Sequence, residues 1–321
     1  MNATLPAIPS EGRSAARDWN YVSGRTAALE RTLLPGSFFP DLLRARNAEE
    51  AFALLSESAP EIFPRPESLY DYDRLLGERF AARVGTIAAD SPPDGPAEIF
   101  LRQIELGRVH EYLTGEEAAR KTSEEVARAA GRLAGAYSWI DPLDLSGERA
   151  DLFRARPLRS LSLWVDASFL RSLLLLAVRA PELLPYVRAL ADSQAASTCL
   201  RSLPAGIAAG ELAAFFFRPE LIRAGLRRPA DPAALPDRLL SEYGMGDLAG
   251  SGEGRAENFS RAADDRLTAV AADGRFEPFG PLPILYFLRR LQMETLNLRI
   301  ALAAILAPID REVAGKRLRR I

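Results

Sequence analysis

Side chains suited to chemistry are scarce in this sequence. Its 321 residues contain one histidine, His110, and one cysteine, Cys199. That pair excludes a Cys/His cage for structural zinc and any disulfide within the chain. His110 lies beside Glu111 and near Glu105, where a general base is chemically feasible. With no second histidine, and no serine or cysteine at a recognisable spacing, a structural or surface histidine is the simpler reading. Cys199 stands among small residues and reads as a small buried hydrophobe. Asp264-Asp265 could open the aspartate-rich magnesium motif of an all-helical prenyl-transfer enzyme, but the third carboxylate expected at 268 is Thr268. Asp141 and Asp144 read as loop or capping residues.

Two glycine motifs fail for similar reasons. Gly244-Met245-Gly246-Asp247-Leu248-Ala249 fits G-x-G-x-x-A. A dinucleotide loop needs a strand before it and a helix after it. The preceding Asp237 to Tyr243 reads as helix, so a linker is expected. Gly315-Lys316 is followed by Arg317 and makes no phosphate loop. The sequence therefore predicts no catalytic, cofactor or metal site. Arg311, Lys316, Arg317, Arg319 and Arg320 form a basic tail opposed by Glu312. It reads either as a solvated helix end suited to the dipole, or as a contact for acidic lipid or an acidic partner.

The elements that would position these residues read as helices throughout. Ala, Leu, Arg and Glu dominate, all helix formers, and no run reads as a strand. Composition is that of a soluble globular protein, 48% hydrophobic and 26% charged. A net charge of -2 gives no footprint for nucleic acid. Pure apolar runs such as Leu173 to Val178 fall far short of the about 20 residues of a spanning helix. No bilayer-spanning segment is expected. Residues 1–17 lack the pattern of a secretory signal and read as a flexible lead-in.

Helices are expected over 18–34, with Tyr21, Ala28 and Leu33 inward, and over 37–43. Asn47 reads as the cap of the next, with Glu50 completing a capping box. Breaks follow at Pro60, Pro64 and Pro66. Further helices are expected over 69–87, 97–113 and 116–137, with Gly115 as a C-terminal cap. A loop spans 141–151. Helices then run over 152–203, interrupted at Pro157, Pro181 and Pro185, and over 256–270. The clearest element is a final hairpin, Pro281 to Arg320. Ile284, Phe287, Leu288, Leu291, Leu298, Leu302 and Ile305 make one apolar stripe on its first helix, which Pro308 should end.

Three long helices share a loose signature headed by an acid: Glu105 to Val109, Asp192 to Ala196, and Glu294 to Leu298. The copies stand roughly 90 to 100 residues apart. On the third, Glu294 and Asn297 read as a partner surface or as buried hydrogen-bonding groups that hold helices together, the second being favoured. Three collinear stretches then carry a resemblance: Tyr21-Val22-Ser23-Gly24-Arg25 with Leu33-Leu34 and Phe38-Phe39; Asn47 through Ser58; and Tyr286 through Arg299, ending Glu294-Thr295-Leu296-Asn297-Leu298-Arg299. Together they resemble the C subunit family of prokaryotic V/A-type ATPases, equivalent to subunit d of the vacuolar proton pump.

The resemblance implies an all-α fold of three helical bundles, related by a pseudo-threefold axis, around a funnel-like opening. The corresponding spans here are 18–115, 116–210 and 211–321. It also implies a non-catalytic role, joining the central-stalk subunits to the membrane rotor ring from the cytoplasmic side of the membrane, without small-molecule substrate or cofactor. Arg299 closes the third signature and is carried over with Glu105, Asp192, Glu294 and Asn297 as structural or interface positions. The alternatives are a free-standing helical scaffold for some other protein, or a helical enzyme with converging carboxylates and magnesium.

Overall fold

In the computed structural model, the described residues are 18–58, 69–114, 122–249, 254–307 and 309–321. Among them the chain is all-α, with fifteen α-helices and no strand. The lead-in 1–17, the breaks at Pro60, Pro64 and Pro66, the Gly115 cap and the Pro308 stop lie outside the described residues.

The first third holds α1 (Trp19–Glu30), α2 (Phe38–Arg44), α3 (Ala48–Ser58), α4 (Leu69–Asp90) and α5 (Pro96–Thr114). Asn47 caps α3 by accepting the Glu50 N–H at 2.9 Å, but Glu50 reaches back to the Arg46 N–H at 2.7 Å, one residue before the cap. The reciprocal box forms instead at Thr122 and Glu125, opening α6 (Ser123–Ala136). In α1 the expected inward face is wrong. Tyr21 is 64% exposed and Ala28 is exposed, whereas Val22, Ser23 and Thr26 are buried, with Leu33 beyond them. Thr26 satisfies its own hydroxyl on the Ser23 carbonyl, so small polar residues can face inward here.

The middle holds α7 (Glu148–Ala155), α8 (Pro157–Arg179) and α9 (Leu184–Ser202). The expected loop is shorter than its bounds, since α7 begins at Glu148. The interruption expected at Pro157 is present, since α7 ends at Ala155 and α8 opens on Pro157, and the one at Pro181 is a short 3₁₀ turn, Pro181–Leu183; Pro185 falls instead in the first turn of α9, where a missing N–H costs nothing. α8 is long and apolar enough to cross a membrane by length and composition, and 78% of its apolar window is buried inside the protein. Counting unbroken apolar runs misses it because Asp166 and Arg171 interrupt the pattern.

Short helices α10 (Ala209–Phe215), α11 (Pro219–Ala224) and α12 (Leu235–Glu242) lead to α13 (Arg255–Ala271) and α14 (Pro281–Leu306). The last, α15 (Arg311–Arg317), stops before Arg320, so the second arm of the expected hairpin is a single short helix with an extended tail. α14 packs against α1, α4, α5 and α13, and α9 packs against α8, α12 and α13.

The buried apolar residues form two clusters. The larger runs from Val22 to Leu291 and draws on α1, α4 to α14, including Trp164, Phe100, Phe215 and Phe259. The smaller joins Phe39, Leu42, Ala51, Leu55, Tyr72 and Leu76 to Leu298, Leu302 and Ala314. α14 belongs to both. Ile284 to Leu291 lie in the first cluster, and Leu298 to Ala304 in the second.

Candidate functional site at the junction of two cores

The chain passes between the two clusters at three places, and all three meet at one polar layer. Leu33 is in the larger cluster and Leu34 in the smaller. On α4 the crossing lies between Leu76 and Phe80, and on α14 between Leu291 and Leu298. Glu294 occupies that last interval and is fully buried at 0% exposure. Its Oε2 accepts the Leu34 backbone N–H at 2.6 Å, and its Oε1 accepts Arg79 Nη1 at 2.9 Å. A buried carboxylate is tolerated only when paired and hydrogen-bonded, and both requirements are met from different segments.

Other bonds align α1 beside the first half of α14. Ser23 Oγ donates to the Gly280 carbonyl at 3.1 Å, and Arg290 pairs with Glu30. With Leu34 on Glu294, the fastening points advance together along both segments, so the two helices run parallel. One turn beyond Glu294, Asn297 is 1% exposed and binds Arg319 in both directions. Its Nδ2 donates to the Arg319 carbonyl at 2.9 Å, and its Oδ1 accepts the Arg319 N–H at 2.7 Å. Arg299 pairs with Asp73 at 2.7 Å.

The basic tail is engaged within the chain. Arg311 donates to the Leu43 and Ala45 carbonyls, Lys316 pairs with Glu312, Arg317 with Glu257, and Arg319 with Asp264. The Arg320 backbone N–H donates to Asp265 at 3.2 Å. Asp264 also receives Arg289, a guanidinium only 2% exposed. The aspartate pair is thus committed to arginines. Among the described residues, no group of three or more His, Cys, Asp or Glu side chains gathers as a metal site.

The other signature acids sit elsewhere. Glu105 on α5 accepts the Trp139 indole N–H at 2.6 Å, and burial raises its pKa against that bond. Asp192 on α9 pairs with Arg227 at 2.8 Å, and again burial, opposed by Arg227, raises its pKa. Each of the three acids therefore holds a donor from another part of the chain, but only Glu294 bridges the two cores. α14 touches α5 through Gln292 and Gln103, 3.2 Å apart.

The remaining candidates for chemistry are also committed. His110 Nε2 lies 2.8 Å from Asp166, a buried carboxylate, and no hydroxyl or thiol bonds the other ring nitrogen among the described residues. Cys199 is buried, and its thiol is pushed up to about 12 by burial, far from a reactive thiolate. The described part of the glycine motif follows helix α12 and forms a short 3₁₀ turn, Gly246–Leu248, not a strand–loop–helix unit. An open cleft of about 310 Å³ lies beside Trp139 and Leu175. Its carboxylates are each matched by an arginine: Asp94 by Arg179 at 3.1 Å, Glu98 by Arg102 at 3.0 Å, and Asp141 by Arg171.

No family model matches this sequence, and no curated protein matches it significantly.

Proposed function

We propose that this chain is the non-catalytic connector of a rotary V/A-type ATPase, joining the central stalk to the membrane rotor ring. One observation carries the reading furthest. The three stretches that resemble the family, far apart in sequence, meet along α14. Leu34 from the first binds the Glu294 carboxylate, while Ala51 and Leu55 from the second share a cluster with Leu298 from the third. That meeting of the three stretches on one helix is what supports the reading.

The physics of the task agrees. A coupling part must pass torque without deforming, and close-packed helices resist compression. α14 supports this by running through both cores, fixed to each by its apolar face and held at the crossing by Glu294. Docking to two partners calls for interface area, not for a nucleophile or metal. In this proposal the helices form three bundles about a pseudo-threefold axis, with a funnel-like opening that receives the stalk. The protein would sit on the cytoplasmic face of the membrane, and ATP-driven H⁺ or Na⁺ transport would depend on it.

Reconstitution tests the reading. Catalytic, stalk and ring subunits from the same cell should couple ATP hydrolysis to ion movement only when this chain is present. A monodisperse, fully coupled complex assembled without it would refute the proposal and favour a free-standing scaffold.

A further inference from the structure

Beyond α15 the backbone leaves the helix. Leu318 takes φ −58° and ψ 142°, and residues 318–321 lie non-helical against α13 and α14. The grip on them is that of a receptor on a peptide. Asn297 on α14 takes both backbone groups of Arg319, its N–H at 2.7 Å and its carbonyl at 2.9 Å. A facing strand residue makes the same pair of bonds in an antiparallel ladder, and such bonds read chain geometry whatever the side chain. Asp265 on α13 takes the next N–H, that of Arg320, at 3.2 Å. Side chains then set the sequence. Arg319 enters with 10% of its side chain exposed, donating to Asp264 at 2.9 Å and to Ser260 at 3.3 Å. Leu318 and Ile321 pack on the smaller core, while Arg320 is exposed. The pattern recognised is an apolar residue, arginine, any residue, then an apolar residue.

The groove keeps its shape without this occupant. Asp264 gives one oxygen to Arg319 and the other to Arg289, at 2.8 Å. Arg289 is itself fixed by Thr268 at 3.2 Å and Gln292 at 2.6 Å, so the carboxylate stays aimed when Arg319 departs. Asn297 projects from α14, which both cores hold. Flanking support for the segment is thin. Arg317 and Glu257 pair with about half of each side chain exposed, and such pairs contribute little. Residues 318–321 can therefore open locally while the fold stays closed. We propose that this groove on α13 and α14 is a peptide-recognition site for an extended apolar–arginine–x–apolar segment of a partner protein, closed in cis by residues 318–321. The cis segment competes with the partner, which makes the contact autoinhibitory. This inference stands apart from the connector reading and does not need it.

Fluorescence anisotropy with a fluorescein-labelled peptide of residues 315–321 tests it on the full chain. Arg319→Asp sets a carboxylate against Asp264 and opens the cis segment. That variant should bind the peptide about tenfold or more tightly than wild type, because the open fraction rises. Adding Asn297→Ala to it should weaken binding about tenfold, through loss of two hydrogen bonds to backbone. A peptide carrying Arg319→Glu should not bind. No binding to the opened variant would overturn the proposal. Binding that ignores Asn297 would overturn it too, leaving only adsorption of a cation on acidic side chains. Hydrogen exchange tests the wild type without any substitution. The Arg319 and Arg320 amides should exchange by local opening, faster than the amide of Leu298. Exchange of all three at the single rate of global unfolding would make the segment inseparable from the fold and refute the autoinhibitory contact.

Discussion

Replacing Glu294 with glutamine removes a negative charge from a place that water does not reach. The side chain is 0% exposed, and its partner Arg79 is 15% exposed, so the guanidinium would be left largely buried beside a neutral amide. Breaking a buried ion pair from one side costs about 3–5 kcal/mol. Unfolding entropy is about 2.1 cal/mol/K per residue, or roughly 0.7 kcal/mol/K over 321 residues. The expected drop in melting temperature is therefore about 4–7 °C. Glutamine keeps an acceptor for the Leu34 N–H and belongs at the low end; alanine also leaves a void and belongs at the high end. Removing both charges, with Arg79→Met in the Glu294→Gln background, should recover part of the loss, because no guanidinium then faces the neutral amide. Calorimetry measures the shift, and hydrogen exchange locates it. Residues 34–58 and 298–314 should exchange faster than the larger core, since the junction couples them to it. A Glu294→Gln melting temperature within about 1 °C of wild type would refute the claim that this carboxylate binds the two cores together.

Two further predictions concern the other signature positions. Asn297→Ala deletes both bonds to the Arg319 backbone; loss of about 1–3 kcal/mol is expected, and trypsin should cut after Arg317 and Arg319 faster than in wild type. Glu105 tests the pH dependence. Burial raises its pKa above the ordinary 4.5, so the folded state holds that proton to higher pH than the unfolded chain. Stability from this group is thus greatest in acid and falls as pH rises from about 4.5 through the raised value. Glu105→Gln lacks this titration but keeps an acceptor for Trp139. The melting temperature of wild type minus that of the variant should decline from pH 4 toward neutrality, and a flat difference would contradict the assigned cause.

The sequence showed the apolar stripe of α14 clearly, and six of its seven positions are buried, with Ile305 half-buried. Long apolar periodicity is a local property and survives without tertiary information. The polar layer was far less visible. Glu294 stood out by type, but its partners Leu34 and Arg79 lie 260 and 215 residues away, and one partner is a backbone amide with no sequence signal. The burial of Arg289 was equally hidden, because charge on a helix ordinarily faces solvent, whereas Asp264, Thr268 and Gln292 bind this guanidinium. In α1 the reverse occurred: Tyr21 looked like core, yet small Ser23 and Thr26 allow the close approach to its neighbours. The packing of Gly274 against Leu282, where an added Cβ would fall 2.2 Å from the Leu282 carbonyl oxygen, was not legible at all, since nothing local reveals it.

The smaller core has a consequence for biosynthesis. Its N-terminal half is complete by Leu76, but the helix that covers it supplies Leu298, Ala301 and Leu302. About 220 residues must be translated in between, on the order of 10–40 seconds at about 5–20 residues per second. Throughout that wait Phe39, Leu42 and Leu55 have no lid. Nascent chains of this protein should therefore engage a holding chaperone early and leave it only once the last helix clears the ribosome.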